Sequence, residues 1–408
     1  MSTEPAALKQ AILPIDPVQT RIRSGMVALI LYSLGHFCVD LYSGAIGAFQ
    51  PLFVDKLHFS LTQAGMLGAV MVFSGSFVQP AYGYLSDRFH SRMFSALAPA
   101  FAGIFIASLG LATGFTTAAL LVFAGGVGIA SFHPQASARA TFGIKNNRGR
   151  WMAVFISAGT LGVAVAPTYF TAIIQWVGMH RTYLAALPGV IATILLVFLI
   201  HSPEPERVAR RRFDLASLRE VQKPLTILCL LVVLRSTIQI VFGQFLPLYL
   251  YRERGFTLLA ASGALSMFQI AGALGGFLGG HFTDRFGGRR VIMFSMLFSV
   301  PFLALFFFGQ GIASMTGLIL GGLILLFTVP VNVVMAQELA PSQAGTVSAL
   351  MMGFAWGLAG LIFIPLIGWS SDRLSMQTTM SALTVFPLLG FFLTLKLPKP
   401  AKLPKPAK

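Results

Sequence analysis

Four titratable side chains stand inside apolar runs of the sequence: His36 and Asp40 in GHFCVDLYSG (35–44), His133 immediately before Pro134, and Arg235 in VVLRSTIQ (232–239). Residues at i and i+4 share a helix face, so His36 and Asp40 can act as one unit. A carboxylate beside an imidazole in a partly dry site can take up and release a proton in the physiological range. The plainer alternative is a hydrogen-bonded pair that fixes helix packing. His133 stands beside the backbone carbonyl that Pro134 frees one turn earlier, which suits substrate binding; the alternative is a kinked helix with a satisfied histidine. Arg235 cannot lose its charge, so it needs an anion: Asp40, or an acidic group of a substrate.

Membrane-spanning helices have to position these residues. The chain has 408 residues, 56% hydrophobic and 10% charged, where a soluble protein carries roughly 25% charged residues. Mean hydropathy is +0.79. A hydrocarbon core of about 30 Å needs roughly 20 apolar residues per helix. Spans 1–6 are expected near 25–50, 61–85, 93–113, 116–138, 151–177 and 182–201, and spans 7–12 near 224–250, 258–282, 290–308, 313–338, 345–370 and 377–396. The net charge of +16 is carried by loops, so it reads as membrane orientation and not as nucleic-acid binding. Only Lys56, Arg181, Arg252, Arg254 and Arg373 fall on the side away from the termini, which predicts both termini and the central linker in the cytoplasm. The start, MSTEPAALKQAILPID, shows no signal-peptide pattern. Cys38 and Cys229 both lie in apolar runs, so neither a disulfide nor a metal motif is expected. No phosphate-binding loop, cofactor motif or activated nucleophile is visible, which leaves ATP drive and a membrane enzyme without support.

The two halves repeat. FQPLF (49–53) matches FLPLY (245–249), GYLSDRF (83–89) matches GHFTDRF (280–286), Pro134 matches Pro330 and Pro167 matches Pro365, at a nearly constant offset. Parallel six-helix repeats are an architecture of secondary transporters. The expected organisation is an N-terminal bundle (1–201), a linker (202–223) whose DLASLREVQK segment lies along the membrane surface, a C-terminal bundle (224–396) and a basic tail (397–408).

On these residues the chain resembles the major facilitator superfamily over its full length. The superfamily's loop signature is present as Gly83, Asp87, Arg88 and Arg92 in the first half and as Gly280, Asp284, Arg285, Arg289 and Arg290 in the second. The first copy departs from it, with His90 and Ser91 where a glycine would help the turn. The resemblance implies an all-α membrane protein of twelve transmembrane helices, two six-helix repeats around a central cavity, with these loops as cytoplasmic gates. Arg139 and Glu338, near the same ends of spans 4 and 10, are expected to join the gate. GVGIASFHPQASARA (126–140), MAQELAP (335–341) and GTVSALMMGFAWGLAG (345–360) are similar to the fosmidomycin resistance protein family of drug exporters, whose first span carries a His and an Asp in the spacing of His36 and Asp40. Two features depart from superfamily proton antiporters: Val122 and Phe123 stand where span 4 usually holds a basic residue, and GTLGVAVAPTY (159–169) lacks the expected glycines around Pro167.

In the superfamily spans 1, 4, 7 and 10 line the cavity. That implies proton coupling at Asp40 and His36, and substrate binding by Arg235, His133, Gln135, Gln239, Gln244 and Asn332. The expected function is proton-coupled export of small antimicrobial compounds by alternating access. A proton-coupled importer of a small organic anion is the second expectation. An anion held at Arg235 binds better once Asp40 is neutral, and that favours symport. The expected partners are protons, a small-molecule substrate and the lipid bilayer; no nucleic acid and no cofactor are expected, and the chain is read as a monomer.

Overall fold

The computed structural model describes residues 17–89, 91–141, 144, 148–200 and 215–398. Among them twelve helices are long and apolar enough to cross a membrane: Gly25–Lys56, Leu61–Tyr82, Met93–Leu111, Phe115–Arg139, Arg150–Val177, Met179–Leu199, Gln222–Arg254, Leu258–Phe286, Gly288–Phe308, Gly311–Leu339, Pro341–Arg373 and Met376–Thr394. These are spans 1–12. Their starts and stops follow local chemistry. Ser60 and Gln63 form a capping box at the start of span 2, and the Thr257 hydroxyl caps span 8. Gly255, with φ +69°, ends span 7 in the left-handed conformation. Spans 1 and 7 run further than hydropathy alone suggests, to Lys56 and Arg254, because Pro51 and Pro247 are accommodated within helix. A six-residue helix, Leu215–Glu220, is what the structure describes of the linker's expected surface segment. The rest of the linker between 201 and 214, and the basic tail from residue 399, lie outside the described residues.

Span 1 is not continuous. Its helix ends at Ser43, three residues beyond Asp40, and restarts at Ile46. Span 7, its counterpart in the second half, runs unbroken through Gln222–Arg254. The repeat is therefore asymmetric at the point where the sequence places its titratable pair.

With an even number of spans, the linker and both ends of the chain emerge on one side; the other side is called the far end here. The polar links that join the halves gather in the far half of the bundle. Gln50 of span 1 reaches Gln244 of span 7 at 3.5 Å. Thr168 and Thr171 of span 5 pair with Ser266 and Ser262 of span 8 at 2.8 and 2.6 Å. Asp55 meets Arg252 at 3.7 Å. The Asp372 carboxylate, at the end of span 11, accepts from Leu61 N and Thr62 N at 2.8 Å each and from the Thr62 hydroxyl at 2.6 Å. A carboxylate on the free N–H groups of a helix start is a favourable charge–dipole arrangement. Spans 2 and 11 approach closely enough that a Cβ on Gly65 would meet the Ile364 carbonyl oxygen at 2.7 Å.

Asp372 therefore clasps the N-terminus of span 2 across the seam. Because the group is exposed, its three bonds are discounted to about 1–2 kcal/mol in total. Asp372→Asn is expected to raise the population open at the far end about tenfold. Spin labels at Leu57 and Leu374 would report it as a growing long-distance component; an unchanged distribution would show that the clasp carries no weight.

Candidate functional site

The break in span 1 and an anchor beside it aim Asp40. Tyr42 is fully buried, and its hydroxyl accepts from Gly189 N at 2.8 Å and donates to Ala186 O at 3.1 Å. Residues at i and i+2 point to different sides of a helix. Fixing Tyr42 against span 6 therefore turns Asp40 toward spans 4 and 5. The Ser43 hydroxyl then closes on the Asp40 carbonyl at 2.9 Å, where the helix stops.

Three side chains meet there. His36 Nε2 lies 3.2 Å from Asp40 Oδ2, and His133 Nε2 lies 3.5 Å from Asp40 Oδ1. The ligating atoms of all three lie within 4.8 Å of one another. The side chains of His36, Asp40 and His133 are 10%, 16% and 25% exposed, so exposure rises from the imidazole of span 1 to that of span 4. No metal spacing is visible in the sequence; folding brings His133 to a His36–Asp40 pair that lies 93 positions or more before it in the chain. The structure thus places His133 against the His36–Asp40 pair, whereas the sequence assigns it to substrate alone.

The state of His36 follows from its second nitrogen. Nδ1 lies 2.8 Å from the Phe155 carbonyl oxygen. A carbonyl can only accept, so Nδ1 carries the hydrogen and a neutral His36 has a bare Nε2. That lone pair faces the Asp40 carboxylate. Two acceptors at this distance repel unless a proton sits between them. The His36 ring is also stacked on Phe155, with centroids 4.3 Å apart, so it cannot swing away freely.

Span 5 contributes two residues that sequence reasoning missed, Phe155 and Gly159. A Cβ on Gly159 would overlap both the Asp40 carboxylate and the His36 imidazole. The signal was available in GTLG (159–162), small residues on a span expected to pack, but nothing in the sequence says what they face. Gly159→Ala is expected to push the pair apart and cut transport at least tenfold, with the protein still folded. Transport assays on the purified variant check this; full activity would show that the close approach is incidental.

The other expected site residues are dispersed. Arg235 is 5% exposed, and its Nη1 donates to Gln239 Oε1 at 2.7 Å. Its Nε has no partner among the described residues. The ion pair with Asp40 that the sequence allows is not formed; that carboxylate meets His36 and His133 instead. Asn332 is fully buried, with neither amide atom partnered among the described residues. Gln244 lies in the far seam against Gln50 and not in an open cavity. Gln135 accepts from Ser95 N at 3.0 Å and from the Ser95 hydroxyl, and donates to Ser91 O at 2.7 Å. Its side chain joins span 4 to span 3 and so serves packing in this conformation.

The expected gate residues are also placed. Of Gly83 and Asp87 only the backbone, in the helix Gln79–Phe89, is described. Arg88 donates to the Tyr84 hydroxyl at 3.4 Å, and Arg92 is half-buried. In the second copy Gly280 is half-buried, while Asp284 and Arg285 are exposed. Arg289 donates to the Thr394 and Leu395 carbonyls at 3.3 and 2.8 Å and so caps the C-terminus of span 12. Glu338 is exposed and forms no ion pair among the described residues. One terminal nitrogen of Arg139 is buried without a partner among them.

Comparison with known proteins agrees with this architecture. The chain is 28% identical to the MFS-type transporter YfnC of Bacillus subtilis, over 89% of this chain and 90% of the relative. It is 26% identical to the fosmidomycin resistance protein of Escherichia coli, over 93% and 94% of the two chains. It is 22% identical to the probable sulfoacetate transporter SauU of Cupriavidus necator, over 87% and 89%. Among solved structures, a variant of the nucleoside transporter NupG superposes with a TM-score of 0.77 at 15% identity, covering 91% of this chain and all of that one, which shows a shared fold. The family model for the Major Facilitator Superfamily matches residues 32–363. A twelve-span, two-repeat chain matched over that length belongs to the major facilitator superfamily of transporters, and it is not an enzyme.

Proposed function

We propose that this transporter couples movement of a small organic anion to protons held at Asp40 and His36, with His133 completing the site. One observation carries the reading. The carboxylate faces an imidazole nitrogen that must be bare when His36 is neutral, because the other nitrogen donates to Phe155 O. The cluster therefore needs a proton to be at rest, and losing it forces a rearrangement. Alternating access supplies that rearrangement as the bundles 1–201 and 224–396 rock against one another across a bacterial inner membrane, both termini in the cytoplasm. Arg235 and Gln239 hold the anionic group, with Asn332 in reach of the same cavity once the halves move.

The first reading of direction is export of a fosmidomycin-like antimicrobial. Its support is the similarity to the fosmidomycin resistance protein along nearly the whole of both chains. The second reading is uptake by symport, favoured by the unpaired Nε of Arg235: an anion there binds more tightly when Asp40 is neutral. Similarity to the probable sulfoacetate transporter agrees with an anionic substrate. Expression in a bacterium lacking its own exporter separates the two. Export predicts a severalfold rise in the fosmidomycin concentration that stops growth. Unchanged or lowered tolerance would remove the export reading.

A further inference from the structure

The two seams between the halves are finished differently. Between spans 5 and 8 the far half is zipped by hydroxyl pairs, Thr168 with Ser266 and Thr171 with Ser262. Between spans 2 and 11 the polar contacts are those of the Asp372 clasp at the far tip. Below it the two helices stay closely packed, Gly65 and Gly68 against Ile364 and Gly360 against Val72, and the outer side of their seam carries a groove of about 650 Å³ bordered by Phe123 of span 4.

The groove runs along span 2 from Thr62 to Phe73. At about 1.5 Å of rise per residue that is roughly 16 Å, the hydrocarbon depth of one leaflet, about half of 30 Å. Its walls are almost wholly apolar, with Met66, Phe73, Leu366 and Trp369 each between 44% and 48% exposed. These residues open sideways at membrane depth, where water is absent and hydrocarbon chains are the surrounding medium. At the mouth the chemistry changes. Trp369 lines the groove, and the Arg373 guanidinium sits over its ring at 4.0 Å from the centroid. Tryptophan and arginine at the end of a span mark the headgroup level. The stacking holds Arg373 at the groove's entrance; neighbouring Asp372 acts on it electrostatically but is hydrogen-bonded to the start of span 2, and Arg373 has no carboxylate at ion-pair distance among the described residues.

We propose that this groove is a binding site for an anionic phospholipid of the far leaflet: one acyl chain lies along the outer side of the seam of spans 2 and 11, and the phosphate engages Arg373. An extended apolar slot of leaflet depth fits an acyl chain, and a fixed guanidinium at its mouth selects negative headgroups. One wall belongs to each half, so the site exists only while this seam is shut.

The test uses the fluorescence of Trp369 in the full-length protein with Trp151, Trp176 and Trp356 changed to Phe. The protein is reconstituted in vesicles with either phosphatidylglycerol or phosphatidylcholine brominated on the acyl chain, at equal mole fraction. Brominated phosphatidylglycerol should quench Trp369 more strongly, as if enriched about fivefold at the site, the gain for one basic residue at a headgroup. Arg373→Gln should reduce that excess to none, and Ala69→Phe, which fills the groove, should weaken quenching by both lipids. Equal quenching by the two lipids in the parent protein would overturn the proposal, as would an excess that survives Arg373→Gln. Should Ala69→Phe misfold, the headgroup comparison and Arg373→Gln decide alone.

Discussion

Replacing Asp40 by asparagine is expected to abolish proton-driven transport while leaving the fold intact. The amide has nearly the volume of the carboxyl, and its N–H can donate to the bare Nε2 of His36 across the 3.2 Å contact. Packing is kept, and removing a buried charge spares a cost, so stability should change by no more than about 1 kcal/mol. What is lost is the group proposed to take the proton. Uptake or efflux driven by a pH gradient should fall to the level of empty vesicles. Substrate exchange without a gradient should persist within a few-fold, because Arg235 is untouched. A variant that is badly destabilised yet still coupled would show that the pair only fixes span 1 against spans 4 and 5.

The second large effect is expected at Arg235. A guanidinium at 5% exposure with Gln239 as its hydrogen-bond partner is a burden to the fold, since an unpaired charge near mid-membrane costs several kcal/mol. Its retention makes sense when a ligand completes it. Arg235→Met should therefore leave thermal stability unchanged or raised, while affinity for an anionic substrate falls at least about 30-fold, the low end of about 2–5 kcal/mol for truncating one partner of a buried charge pair. Neutral or cationic compounds should lose little. Binding of a phosphonate and of a cationic dye, measured side by side on the purified protein, reads this directly. An equal loss for both, together with lowered stability, would make Arg235 a structural residue.

Apolar run lengths made the twelve spans legible because a bilayer demands them, and His36, Asp40 and Arg235 stood out because lipid makes ionisable groups costly. The pairing of His36 with Asp40 could be read from one helix face. What joins separate spans could not. His133 meets Asp40 only after spans 1 and 4 pack, and Gln135 is drawn to Ser95 for reasons that lie in span 3. Gln244 was read as cavity-facing because span 7 lines the cavity, yet each helix has several faces, and this one points into the far seam. Asp372 carried no signal as a clasp, since its partner is the backbone of a helix start more than 300 residues away, at |i−j| of 310 and 311. The break after Asp40 was equally hidden: YSGAIG (42–47) is apolar enough to read as continuous helix.

Proton movement itself is the most direct test of the His36–Asp40–His133 site. Purified protein in vesicles that enclose a pH-sensitive dye would be given a gradient of a fosmidomycin-like phosphonate, with no imposed pH difference. Proton flux that accompanies the substrate, in either direction, and disappears in Asp40→Asn is the predicted result; opposite flux means export by antiport and parallel flux means symport. Substrate movement with no proton flux in the parent protein, or flux undiminished in Asp40→Asn, would contradict a coupling role for these three residues.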